Sequence, residues 1–179
     1  MTTCNPYAIA KRLLDQLGTE LGTARADTPQ RMVVLTSPQA AVMEFCSLGF
    51  VSFSGISATS GGGGSPGPFH GVAPQHQVSL TMGVYRCFPV DPSLGAPPVA
   101  ALDSASRDIL DDFEAMRRAA LAAWADEDEW DLQPVLGIWR PVTPQGGGHG
   151  STMEVSVTTT LALFSDESVP MLPGDPRGA

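Results

Sequence analysis

Leu132-Gln133-Pro134-Val135-Leu136-Gly137-Ile138-Trp139-Arg140-Pro141-Val142, then Thr143-Pro144-Gln145-Gly146-Gly147-Gly148-His149-Gly150-Ser151, then Thr152 to Phe164, is the stretch on which the fold turns. Its last third alternates. Met153, Val155, Val157, Thr159, Leu161 and Leu163 fall on one side; Thr152, Glu154, Ser156, Thr158, Thr160 and Ala162 fall on the other. A period of two is that of a half-buried strand. The spacing predicts two long strands, Leu132–Val142 and Thr152–Phe164, joined by a connection over Thr143–Ser151. Four of the five residues Gly146–Gly150 are glycine, which leaves no room for a core there. The connection is a site, a hinge or a contact surface.

Moving outward, His76–Val90 reads as a strand in which Val78, Leu80, Met82, Val84 and Phe88 alternate with Ser79, Thr81, Tyr85 and Cys87. Arg86 lies on the apolar side near its end, and Pro89 and Pro92 stop it. A helix over about 99–125 follows. Ile109, Leu110, Phe113, Met116, Ala120, Leu121 and Trp124 form its apolar stripe, with Arg107, Asp111, Asp112, Arg117 and Arg118 mostly off it. Trp124 is therefore core, and the face of Trp139 is undecided.

At the other end, Asn5-Pro6 is a helix start. Ile9, Leu13, Leu14, Leu17 and Leu21 make one stripe, and Gly22 closes a helix over 6–22. Met32–Leu35 is a short strand ended by Ser37-Pro38. Ala40–Ser57 is a longer strand with apolar residues on both faces, so it is either central or covered by a subunit contact. The order is α-β-β-β-α-β-β. One mixed, mostly antiparallel sheet of about five strands with both helices on one face satisfies it, an α+β fold. The pattern supports a single domain over 1–165, with a flexible connection at 58–75 and a loose tail at 166–179.

Composition narrows the function. The chain has 179 residues, a size for one domain. Ten basic residues stand against 19 acidic ones, a net charge of −9. Nucleic-acid readout needs clustered cations, and these are absent. The three cysteines, Cys4, Cys46 and Cys87, have no zinc-type spacing. Their odd number argues against a disulfide framework; Cys46 and Cys87, on strands, fit small buried side chains in a reducing cytoplasm, with a Cys46–Cys87 bridge as the alternative. No secretory leader is expected from the polar Met1–Pro6 start. No apolar run approaches a membrane span.

The candidate sites each have an ordinary explanation. Ser60-Gly61-Gly62-Gly63-Gly64-Ser65 lacks the Lys and the following helix of a phosphate loop, so it reads as a flexible connection. His70, His76 and His149 carry no HExxH, GxSxG or deaminase signature and read as solvent-exposed loop histidines. The acids Asp126–Glu129 and Asp131 around Trp130 lack calcium-loop spacing and read as a solvated turn.

Four further features share an order: the strand end Arg86-Cys87-Phe88-Pro89, the approach Pro97-Pro98, the helix Leu102-Asp103-Ser104-Ala105-Ser106-Arg107-Asp108-Ile109-Leu110-Asp111-Asp112, and the final hairpin with Pro144-Gln145-Gly146-Gly147. In that order the chain resembles the compact α+β head–tail junction proteins of long-tailed, siphovirus-type phages of actinobacteria, and among them the tail terminators. The likeness covers about residues 5–165 and leaves out Ser60–Pro68 and Asp166–Ala179. It implies a structural virion protein at the neck, made in the host cytoplasm: a ring, usually a hexamer, that caps the tail tube. Its partners would be copies of itself, the major tail tube protein and the head-completion or stopper protein. DNA would pass through the lumen without sequence-specific binding. The resemblance implies no catalysis, no cofactor and no membrane. Contact residues under this resemblance are Gln145, Gly146, Gly147 and His149 at the hairpin tip, with Trp139, Phe50 and Phe53. A stopper, a tail-tube subunit, a small enzyme with an assembled His/Asp site and a monomeric binding domain are the rival readings.

Overall fold

The computed structural model describes residues 5–41, 46–59, 75–89, 96–125, 133–145 and 147–161. Helix α1, Pro6–Leu21, starts where Asn5 accepts a hydrogen bond from the Tyr7 amide at 2.8 Å. Pro6 costs nothing at the first turn, where its missing N–H has no partner to lose. Strand β1 is Arg31–Leu35, followed by a 3-10 turn at Pro38–Ala40. Strands β2 (Leu48–Ala58) and β3 (Gln75–Cys87) lead to helix α2 (Val99–Ala122), and β4 (Val135–Gln145) and β5 (Gly148–Thr160) complete the chain. The sheet order is β1-β2-β3-β5-β4, with β1 and β2 parallel and the other pairs antiparallel. This is the predicted α+β architecture.

Both helices cover one face of the sheet. The alternate residues Val78, Leu80, Met82 and Val84 of β3 meet Val51 of β2 and Met153, Val155 and Val157 of β5 beneath Ile9, Leu13, Leu17 and Met116. The period-two reading of β5 therefore chose the correct core face as far as Leu161; Leu163 lies outside the described residues. The helix-two stripe is displaced from its expected position. Leu110 and Leu121 are exposed, and the buried side is Ala105, Ala115, Met116, Ala119, Ala120 and Trp124. Small residues let α2 approach the leucines of α1 closely, so alanines take the contact that larger residues were expected to make.

The other sheet face is mostly polar. Ser54 and Thr81 share a hydrogen bond at 2.6 Å, and Arg140 pairs with Glu154 at 2.5 Å. At one end it carries a second apolar cluster of Leu48, Phe50 and Tyr85, joined by Val33, Leu35, Ala41 and Val142. Phe50 lies across Gly83, where a Cβ would stand 2.5 Å from the ring, and the Tyr85 ring lies over Gly150. The two rings pack at 5.2 Å. The second face of β2 is thus covered from within the chain. Of the contact residues expected on β2, Phe50 is fully buried and Phe53 is partly buried against the main core.

Three boundaries also differ from expectation. Strand β2 starts at Leu48, not Ala40. Strand β4 runs through Pro141 and Pro144 to Gln145, and β5 begins at Gly148, so only residues 146 and 147 separate them. The glycines that suggested a long loop are partly strand residues; at Gly150 a Cβ would run into the Val84 carbonyl oxygen and stand 2.7 Å from the Tyr85 ring. Cys46 and Cys87 form a disulfide with Cα atoms 4.6 Å apart, which corrects their reading as free buried thiols. Closing that loop is worth about 4 kcal/mol in the chain-entropy account. The expected connection at 58–75 falls mainly on residues outside those described, as do the 166–179 tail, the 126–131 turn, Cys4 and His70.

Leu17→Ala should lower the unfolding free energy by about 2–5 kcal/mol. Leu110→Ala, at a side chain 59% exposed, should change it by no more than about 0.5 kcal/mol. Urea unfolding of both variants checks this; equal losses would show that Leu110 belongs to the core after all.

Candidate functional site

At the end of β3 the alternation carries Arg86 onto the helix-covered face, where a guanidinium needs a partner. Asp112 of α2 supplies it. Arg86 Nε donates to Asp112 Oδ2 at 2.7 Å and Nη2 donates to Oδ1 at 2.5 Å. The remaining donors reach the carbonyls of Ala26 at 2.9 Å and Asp27 at 3.0 Å. The Asp112 side chain is 1% exposed. Burial pushes its carboxyl above the ordinary range, while the hydrogen bonds and charge of Arg86 pull it back down. Sequence reasoning set Asp112 off the buried stripe. The signal that could have found the pair was Arg86 itself, a cation among apolar alternates.

Opposite Arg86 on β5 sits His149. It is 6% exposed, which corrects its reading as a solvent-exposed loop histidine. Its ring meets Phe88 edge-on at 5.4 Å. Burial lowers its pKa first and the Arg86 charge lowers it further; Asp108, Asp112 and a hydrogen bond to the Cys87 backbone oppose this. His76 is half-buried on β3.

His149, Phe88 and Ala105 form the shared wall of two adjoining recesses between α2 and the β4–β5 tip. One, of about 460 Å³, also carries Ser104 and Asp108. The other, of about 340 Å³, is an apolar groove walled by Ile109, Leu110, Trp139, Pro141 and Pro144. Arg25 engages Ser104 and Asp108 of the first recess, donating to Ser104 Oγ at 2.7 Å and lying 3.4 Å from Asp108. Trp139 is half-buried and packs tilted against Phe113, ring centroids 5.3 Å apart.

Of the expected contact residues, the fold brings together His149 and Trp139 in these recesses. Gln145 pairs with Gly148 at the exposed tip, beside Gly147 at φ +80°. Gly146 lies outside the described residues. Among the described residues no group of His, Cys, Asp and Glu could hold a metal ion. No helix among them is long and apolar enough to cross a membrane. The chain matches no protein-family model and no curated protein.

Two outcomes follow from this geometry. Arg86→Met should cost about 3–5 kcal/mol, because it strands the Asp112 carboxylate, and adding Asp112→Leu should recover most of the loss. Denaturant melts of the single and double variants measure this; additive losses would refute the coupling. The folded pKa of His149 lies below its unfolded value of 6.5, so the unfolded chain takes up the proton first. That contribution to stability is fully present above 6.5 and is lost as pH falls through the folded pKa. His149→Gln should flatten stability against pH in that window, whatever it does to stability at neutral pH.

Proposed function

We propose that this protein is a structural virion subunit, a tail terminator whose ring caps the tail tube of a long-tailed phage and joins it to the head. The observation that carries the reading is the apolar groove between α2 and β4, walled by Ile109, Leu110, Trp139, Pro141 and Pro144. Leu110 on α2 is an exposed large apolar residue, as are Val99 and, on β4, Ile138 and Val135, the last on the opposite sheet face with Ser156. Leu110 also borders the groove that holds Trp139. An apolar groove beside an edge strand marks a contact surface better than scattered apolar residues do. A ring subunit needs two different patches that close on rotation, and this sheet has two unlike edges, short β1 and long β4. The net charge of −9 suits a lumen through which DNA slides without sticking.

A stopper or tube subunit of the same junction is the second reading, since it would use the same kind of edges. The enzyme reading draws on Ser104, Asp108 and His149 lining one recess. The engagement of Ser104 and Asp108 by Arg25 favours a structural role for them.

The purified protein, mixed with tail tubes, should join their ends as a ring in native mass measurements and electron micrographs. Deleting the gene should give overlong tails; tails of normal length would point to the stopper. A strictly monomeric protein that never joins a tube or virion would sink the ring reading. Leu110→Asp should weaken assembly by about tenfold or more, the effect of losing one apolar anchor, with an unchanged thermal melt. His149→Ala that abolished a measurable turnover while assembly stayed intact would favour the enzyme.

A further inference from the structure

We propose that the Cys46–Cys87 disulfide is a thiol-releasable clasp over the second apolar cluster. The bond joins the start of β2 to the end of β3. Between β1 and Cys46 runs the connection that carries the 3-10 turn. That turn packs against β2, and Ala41 packs on the cluster of Leu48, Phe50 and Tyr85. Phe50 is fully buried although its side of the sheet has no helix over it. The connection supplies part of the cover that a helix supplies on the other face.

Among the described residues, few other ties hold 36–41 of this cover down. Among the described residues, the hydrogen bonds of 36–41 are internal: Ala41 N–H donates to the Pro38 carbonyl, and Gln39 N–H donates to Ser37 Oγ. The attachment points are β1 before it and Cys46-Ser47 after it. Ser47 has φ +73°, a left-handed conformation that a serine keeps only where its surroundings hold it. Three hydrogen bonds do so: Ser47 N–H to the Tyr85 carbonyl, Gln30 N–H to Ser47 Oγ, and Arg31 N–H to the Ser47 carbonyl. The disulfide is thus the covalent tie between a constrained joint and the sheet. Cys87 is exposed and Cys46 half-exposed, so the bond joins residues at the surface. Exposed disulfides are the labile and regulatory kind.

The chemistry is a thiol–disulfide exchange. A dithiol reductant attacks one sulfur as its thiolate, the Cys46–Cys87 bond breaks, and the mixed disulfide resolves as the second reductant thiol attacks. Cys46 and Cys87 leave as two thiols, and the reductant leaves as its own disulfide. The connection then loosens and apolar surface at Phe50 and Tyr85 meets water. The helix-covered core is untouched, because it lies on the opposite face.

The inference is independent of ring assembly, and one set of measurements on the full-length protein tests it. After mild oxidation, native alkylation followed by intact mass should label Cys4 and spare Cys46 and Cys87. After dithiothreitol it should label all three, while far-UV circular dichroism stays the same. Emission of an apolar-surface dye should rise several-fold on reduction, and amide exchange should quicken at 36–41 and 48–50 but not in α1. Cys46→Ser/Cys87→Ser should show the reduced behaviour with or without reductant. Labelling of all three cysteines after oxidation overturns the proposal. So does a reduced protein with unchanged dye emission and unchanged exchange, or one that unfolds as a whole.

Discussion

Arg86 is where three parts of the chain meet. Its guanidinium donates to the Asp112 carboxylate on α2 and to the carbonyls of Ala26 and Asp27 before β1. A single side chain at the end of β3 thereby sets the position of the second helix and of the link between α1 and the sheet. The requirement is physical: a cation carried onto the core face by strand alternation has to be neutralised there. His149 lies beside this pair and is held toward its neutral form by burial and by the guanidinium. The recesses that make up the candidate site are bounded by the same elements.

How much of this was legible in the residues can be argued element by element. Alternation in β3 and β5 marked the core face correctly because both strands lie in the middle of the sheet, with one face under helices and the other largely polar. The cap at Asn5-Pro6 and the closure at Gly22 marked α1 because local hydrogen bonding decides helix ends. The buried side of α2 was not legible. Its two apolar strips differ in residue size, and only the neighbouring helix decides which faces inward. The extent of the β4–β5 hairpin was hidden for a similar reason. Glycine is a turn former locally, yet at Gly150 it is the residue that lets the Val84 backbone and the Tyr85 ring come close.

The candidate site divides the same way. Trp139 and His149 flank or sit among glycines in the sequence, and both line the apolar groove. Phe50 was chosen for sitting on a strand with two apolar faces, and the fold buries it with Leu48 and Tyr85. The pairings of Arg86 with Asp112 and of Cys46 with Cys87 join residues far apart in the chain. No local pattern encodes such a pairing.

The central pairing of the sheet also bears on how the protein is made. Strand β3 hydrogen-bonds along its whole length to β5, from Gln75 with Thr160 to Cys87 with Gly148. On a ribosome, β3 emerges with one flank already matched by β2 and the other bare until nearly the whole described chain has been synthesised. Val78, Leu80, Met82 and Val84 wait through that interval without Met153, Val155 and Val157 beside them. A nascent chain of this topology completes its core late, and the delay is governed by translation speed as well as by the intrinsic rate of long-range strand pairing.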